Sequence, residues 1–174
     1  DQNRAFEAKR RNVKGKEQLS YFIDRGYTSL NHVGEELCGD RVECAQSGEW
    51  LTAVLCDGMG SGVKANILAT LSSKILCTML SAGVPIKDCI ETLIASLPVC
   101  KVRQVAYATF SVCHINREGK GELLEFDNPA ALLLRGGEVR DLPREKSVVC
   151  GKNVYTTALD LRANDALVIT SDGV

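Results

Sequence analysis

The chain has 174 residues, 45% of them hydrophobic, and a formal net charge of −1. That is enough material for one globular domain with its own core. The balanced charge gives no support to nucleic-acid binding, and no apolar run approaches the roughly 20 residues that span a bilayer, so no membrane contact is expected of this segment. The eight cysteines contain no Cys-x-x-Cys pair and are expected to be mostly buried small side chains in a reducing cytoplasm.

The N-terminal region differs in composition from the rest of the chain. Residues 1–18 are polar and mildly basic, which is typical of a linker or a solvated N-terminal helix. The domain itself is predicted over residues 19–174, and its first strand from Leu19 to about Val33.

A hairpin with two facing acids follows. Residues 41–47 and 50–56 flank Gly48-Glu49, a pair suited to a type II′ turn. In that register Asp40 faces Asp57, with Cβ atoms about 5 Å apart. Because two such carboxylates repel each other, the pattern favours a divalent cation between them over the simpler interpretation that Asp-Gly only marks a turn. Asp172-Gly173 also ends a strand-like apolar run, which indicates that Asp172 is a further ligand.

The glycine-rich segment after Asp57 does not fit three common phosphate or metal motifs. A dinucleotide-binding fingerprint would need glycine at Val63, and a P-loop would need Ser or Thr at Ala65. An EF-hand loop would need acids or amides at alternate positions, which are missing. What remains is a strand, a tight turn and a helix, in which the Gly58 carbonyl can approach a bound ion.

The remaining segments predict two helices and then a series of strands. The first helix is predicted over 62–82 and the second from Ile86 to about Leu97. The buried face of the first is expected to carry Ile67, Leu68, Leu71, Ile75, Leu76 and Met79. Strands are predicted over Tyr107–Asn116, Leu123–Asp127, Ala131–Arg135, Glu138–Leu142, Val154–Leu159 and Ala166–Thr170, with a Gly136-Gly137 hairpin turn. This order predicts an α+β protein with antiparallel sheets.

Several of these segments together resemble the metal-dependent type-2C (PPM-type) serine/threonine protein phosphatases, in the bacterial branch of stage II sporulation protein E. The resemblance runs from about Leu19 to the end of the chain. The motifs that carry it are Cys38-Gly-Asp40, Cys56-Asp-Gly-Met-Gly-Ser-Gly62, Ala108-Thr-Phe110, Asp127-Asn-Pro-Ala-Ala-Leu-Leu-Leu-Arg-Gly-Gly-Glu-Val139 and Thr170-Ser-Asp-Gly-Val174.

This resemblance implies a PPM-type fold, an antiparallel β-sandwich flanked by helices in α-β-β-α layers, incomplete at the C-terminus. It also implies a catalytic centre of Asp40, Asp57 and Asp172 with two Mn²⁺ or Mg²⁺ ions. In that centre Asp57 bridges both ions, Asp40 and the Gly58 carbonyl help to hold one, and Asp172 helps to hold the other. A metal-activated water would attack the phosphorus of phosphoserine without a covalent enzyme intermediate.

The family resemblance carries further expectations about substrate, completeness and location. The substrate would be a phosphorylated signalling protein, by family analogy an anti-sigma-factor antagonist. The family has a final metal-binding Asp beyond the residue matching Val174, so one ion would lack a ligand here. The protein is expected to be cytoplasmic, or at the cytoplasmic membrane face if anchored through another segment, and a homodimer is allowed. Two alternatives remain: a phosphatase-fold signalling or scaffold module with little catalysis, and a small-molecule phosphatase.

Overall fold

The computed structural model describes residues 9–13, 16–29, 37–60, 62–96 and 108–172, and the account below concerns these alone. The elements in chain order are β1 (Lys9–Val13), β2 (Lys16–Ser20), β3 (Asp40–Ser47), β4 (Trp50–Gly58), α1 (Gly62–Ser81), α2 (Ile86–Ser96), β5 (Ala108–Asn116), β6 (Lys120–Phe126), β7 (Leu132–Arg135), β8 (Glu138–Arg140), β9 (Glu145–Val149), β10 (Lys152–Asp160) and β11 (Ala166–Val168).

The main sheet has six antiparallel strands in the order β3-β4-β5-β6-β10-β9. Its first hairpin has the predicted register, with Ser47 opposite Trp50 and Asp40 opposite Asp57. Gly48 has φ +58°, and Glu49 is not among the residues with positive φ, as a type II′ turn requires.

The second sheet has three strands in the order β11-β7-β8. The Gly136-Gly137 turn sets Arg135 opposite Glu138 and Leu134 opposite Val139, as predicted. Strand β11 pairs antiparallel with β7 on its other side. The chain therefore leaves the main sheet after β6, builds this hairpin, returns for β9 and β10, and leaves again for β11.

Two clusters of buried side chains separate three layers. One lies between the helices and the main sheet and includes Val54, Phe110 and Leu76. The other lies on the opposite face of the main sheet and includes Leu51, Ile115 and Leu123. Partly buried residues of the second sheet and its connections pack against this cluster. The α+β class with antiparallel sheets is thus confirmed, and within the described residues the layers run helix, sheet, sheet.

The buried face of α1 differs from the one expected. Buried positions are Ala65, Ala69, Ser72, Ser73, Leu76, Cys77 and Leu80, which are mostly small residues. By contrast Ile67, Leu71 and Ile75 are exposed by 50%, 56% and 41%. The prediction is confirmed for Leu76, while Leu68 and Met79 are half-buried. It was wrong for Ile67, Leu71 and Ile75, because the start of α1 lies so close to β4 that small side chains are required there.

Four other expectations also change. Residues 9–13 and 16–20 form a hairpin rather than a helix. The strand predicted from Leu19 to about Val33 ends at Ser20, since 21–29 have no regular structure, and its part over 30–33 lies outside the described residues. Strand β9 was not predicted. Finally, α1, with 20 residues, does have the length and hydropathy of a membrane span, but its buried face belongs to the core of this domain.

Candidate metal centre

Asp40 and Asp57 lie side by side at one end of the main sheet. Asp40 is the first residue of β3, and Asp57 precedes the last residue of β4. They are direct partners in the antiparallel ladder, so their side chains are on the same face of the sheet. Just beyond them the Gly58 amide donates a hydrogen bond of 3.2 Å to the Gly39 carbonyl, which keeps the two chains together past the last carboxylate pair.

The third predicted acid arrives from the second sheet. Asp172 lies four residues after the end of β11, and its neighbour Ser171 is buried. The Ser171 hydroxyl donates a 2.7 Å hydrogen bond to Oδ2 of Asp40. Asp172 itself interacts with the side chain of Asp57. The structure therefore brings together Asp40, Asp57 and Asp172, although the last is more than 110 residues away along the chain.

The surroundings of Asp57 oppose its negative charge. Burial, a hydrogen bond with Asp172, the charges of Asp40 and Asp172, and a hydrogen bond with Asp40 raise the pKa of Asp57 to about 7. A hydrogen bond between two carboxyl groups requires a proton on one of them. A divalent cation between these acids would instead favour their charged forms.

The glycine turn after Asp57 packs tightly against α1 and the start of β3. A Cβ atom on Gly58 would overlap the carbonyl oxygen of Ala65 in α1, so no other residue fits there without moving the helix. A Cβ on Gly39 would lie 3.6 Å from the Gly58 carbonyl oxygen and 3.9 Å from that of Gly60. Both carbonyl oxygens thus lie close to the residue that precedes β3.

The donor atoms fit hard divalent cations, although the cage is not complete. Carboxylate and carbonyl oxygens are the ligands that Mg²⁺ and Mn²⁺ prefer. In the ranges that the structure describes, no group of three or more His, Cys, Asp or Glu side chains is placed to hold an ion by itself. Asp40 and Asp57 are nevertheless ladder partners, and Ser171, the residue before Asp172, is hydrogen-bonded to Asp40.

A buried polar network lies next to the acids and was not predicted. Thr109 of β5 is the ladder partner of Asp57 on the side away from Asp40. Its hydroxyl donates a 2.6 Å hydrogen bond to Oδ1 of Asn128. Nδ2 of Asn128 in turn donates a 3.1 Å hydrogen bond to the hydroxyl of Ser111. Asn128 is only 9% exposed. The motifs that contain Thr109 and Asn128 were noted in the sequence, but nothing in their spacing assigned them a role.

The loop that carries Asn128 is also held at its other end. Glu125 is 1% exposed and accepts a 2.6 Å hydrogen bond from the Ala131 amide. Its second oxygen accepts a 2.8 Å hydrogen bond from Nε of Arg144. The guanidinium of Arg144 lies 4.2 Å from the centre of the Tyr155 ring. The buried carboxylate is thus paired and hydrogen-bonded, so the crossing from the main sheet to the second sheet is fixed beside the acids.

One protein family matches the sequence. This is stage II sporulation protein E (SpoIIE), and the match covers residues 47–174. Stage II sporulation protein E of Bacillus subtilis (strain 168) is 23% identical over 160 residues, which cover 89% of this chain and 19% of that protein. The chain therefore spans about a fifth of the length of that relative.

Solved structures share the fold. The PP2C phosphatase domain of SpoIIE from Bacillus subtilis, solved with a fragment of the regulatory domain, has a TM-score of 0.68 at 24% identity, covering 79% of this chain and 42% of that one. RsbX in complex with magnesium has a TM-score of 0.63 at 23% identity, covering 83% and 71%. The RsbU and RsbW domains of a Mycobacterium tuberculosis protein have a TM-score of 0.64 at 20% identity, covering 82% and 42%.

Proposed function

This chain belongs to the stage II sporulation protein E family and has the PPM-type phosphatase fold, and from that premise we propose that it is the metal-dependent phosphatase domain of a protein that dephosphorylates phosphoserine on a signalling protein. The observation that supports the activity best is the meeting of Asp40 and Asp57 from the main sheet with Asp172 from beyond β11. A purely structural surface has no need of three carboxylates in contact.

Each of these residues would have its own role in holding the ions. Asp57, between the other two acids, would contact both of two divalent ions; Asp40 and the Gly58 carbonyl would help to hold one, and Asp172 the other. Bound divalent cations supply an activated water nucleophile and neutralise phosphoryl oxygens. Ser171 orients Asp40 through its 2.7 Å hydrogen bond, and the close approach of α1 fixes the Gly58 carbonyl.

Substrate and location form part of the same proposal. At this end of the main sheet Asp172 is exposed and Asp40 and Asp57 are half-buried. A phosphorylated loop of another protein can reach such a site. The RsbU and RsbW domains among the matched structures support a regulatory protein as substrate. By family analogy this would be an anti-sigma-factor antagonist, in the cytoplasm or at its membrane face.

The test is Mn²⁺-dependent phosphate release from a phosphoserine protein, by this chain and by a version extended towards the length of its sporulation relative. We expect Asp57→Asn to lose turnover. Asp160→Asn is the matched control, because Asp160 is exposed and pairs with Lys120 at the start of β6, the end of the sheet remote from Asp57. Turnover that persists in Asp57→Asn would refute the assignment.

The same assay separates the proposal from a phosphatase-fold signalling or scaffold module and from a small-molecule phosphatase. A phosphatase-fold signalling module would show no turnover even in the extended form, with the fold intact by circular dichroism. Faster turnover of free phosphate esters than of the phosphoprotein would instead indicate a small-molecule phosphatase.

A further inference from the structure

Asn128 holds the Thr109 hydroxyl from a fixed position. Asp127 before it has φ +52°, which ends β6, and Pro129 after it restricts Asn128 to an extended backbone. Its amide is buried and hydrogen-bonded at both ends, to Thr109 on one side and to Ser111 on the other. The amide therefore has no freedom to rotate without losing two hydrogen bonds.

The two distances determine which way the amide faces. The 2.6 Å contact with Thr109 is within the range of an O–H···O bond but shorter than the usual N–H···O range. The 3.1 Å contact with Ser111 suits an amide N–H donor. Thr109 therefore donates and Asn128 accepts, so the single proton of the Thr109 hydroxyl is directed at Asn128.

That proton would otherwise have a competing acceptor. Thr109 is opposite Asp57 on the same face of the sheet, with Cβ atoms about 5 Å apart by cross-strand geometry. A threonine hydroxyl at that distance can turn towards a carboxylate, and hydrogen bonds to charged groups are among the stronger ones. A proton donated to Asp57 would occupy a lone pair that an incoming cation needs.

We propose that Asn128 is a positioning residue which, by accepting the Thr109 hydroxyl proton, keeps that proton off Asp57 and leaves the carboxylate free for a divalent cation. This inference rests on the proposed function only in taking Asp57 as an ion ligand. It concerns ion affinity and does not require that the domain be catalytically active.

The test measures Mn²⁺ affinity by isothermal titration calorimetry on the extended chain. Asn128→Leu removes the acceptor at similar volume. The Thr109 hydroxyl can then donate a charge-assisted hydrogen bond to Asp57, and the ion must break this bond to bind, so we expect Mn²⁺ binding about tenfold weaker. Thr109→Val has no proton to donate and should stay within about threefold of wild type. The double variant should recover the affinity of Thr109→Val, a coupling that two independent structural defects would not show.

Two further variants keep the result interpretable if Asn128→Leu folds poorly. Asn128→Asp retains an acceptor for Thr109 but not the donor to Ser111, and should bind Mn²⁺ no more weakly than wild type. Thr52→Val is a matched control: Thr52 is also a buried threonine, hydrogen-bonded at 2.9 Å to His114, but it is on the other face of β4 from Asp57. It should lower the unfolding temperature without changing Mn²⁺ affinity.

Other outcomes overturn the inference. Asn128→Leu at wild-type affinity, weak binding by Asn128→Asp, or a double variant that remains as weak as Asn128→Leu would each refute it. Wild-type protein that binds Mn²⁺ no better than Asp57→Asn would refute both the inference and the proposed ion site. Mn²⁺ binding that follows the expected pattern without phosphatase turnover would refute the proposed function alone.

Discussion

Gly58→Ala tests the packing of α1 against the end of β4. The added methyl group would overlap the backbone carbonyl of Ala65, a residue with no exposed surface, so neither a side-chain rotation nor local solvent can relieve the contact. Overpacking of this kind typically lowers the free energy of unfolding by about 1–3 kcal/mol. Because the overlapping atoms belong to the backbone, we expect a loss of about 3 kcal/mol here. For a chain of this length that corresponds to a fall of about 6–12 °C in unfolding temperature.

The same displacement should disturb the ion site, because the Gly58 carbonyl moves with the backbone. We expect Mn²⁺ affinity to fall about tenfold or more, the range seen when groups that support metal ligands are altered. The assays are thermal unfolding by circular dichroism and calorimetric Mn²⁺ titration. Gly26→Ala is the control, since no atom lies within 4 Å of its Cβ position, and it should change stability by less than about 1 kcal/mol. Wild-type unfolding temperature and affinity in Gly58→Ala would refute the argument.

Three more predictions concern stability. Asp165→Asn breaks the 2.6 Å pair with Arg135, which lowers the pKa of Asp165; the pair's contribution is complete above the ordinary pKa of aspartate and is lost as the pH falls through the lowered value. Urea unfolding should therefore show a loss of about 1–3 kcal/mol at pH 7 and a smaller difference near pH 3. Leu76→Ala should cost about 2–5 kcal/mol, whereas Leu71→Lys on the exposed face should cost under about 0.5 kcal/mol, and a reversed order would contradict the helix orientation. Without metal, Asp57→Asn should raise the unfolding temperature at pH 8. The pKa of Asp57 is raised to about 7, so ionisation of this group destabilises the native protein as the pH rises from about 4 to 7. An equal gain in unfolding temperature at pH 4 would contradict this.

The sequence predicted best where short-range geometry decides the outcome. A two-residue turn at Gly48-Glu49 leaves one register in which the apolar face stays on one side, so the pairing of Asp40 with Asp57 could be counted. The Gly136-Gly137 hairpin was predicted for the same reason. In both cases the residues that determine the pairing lie within a few positions of each other.

Packing between residues distant in the chain was harder to predict from the sequence. The burial of α1 depends on how closely it approaches the sheet, which the overlap at Gly58 shows but hydrophobic spacing does not. Asn128 and Ser171 contact residues 17 and 131 positions away, and no local pattern predicts such hydrogen bonds. Asp172 was predicted as a ligand from its Asp-Gly at a strand end, but that pattern does not say which residues it approaches.

The acids at the sheet edge are best explained by a ligand, since they weaken the protein that carries them. Burying Asp57 between two other carboxyl groups disfavours its charge, and a neutral residue there would make the metal-free fold more stable. The Ser171 hydrogen bond relieves only part of this at Asp40, and within the described residues no basic side chain is hydrogen-bonded to Asp57. A divalent cation would convert the repulsion into attraction and stabilise the native state by about 2.7 kcal/mol at a concentration one hundred times its dissociation constant. Residues that oppose folding without an ion and favour it with one are those expected of a functional centre.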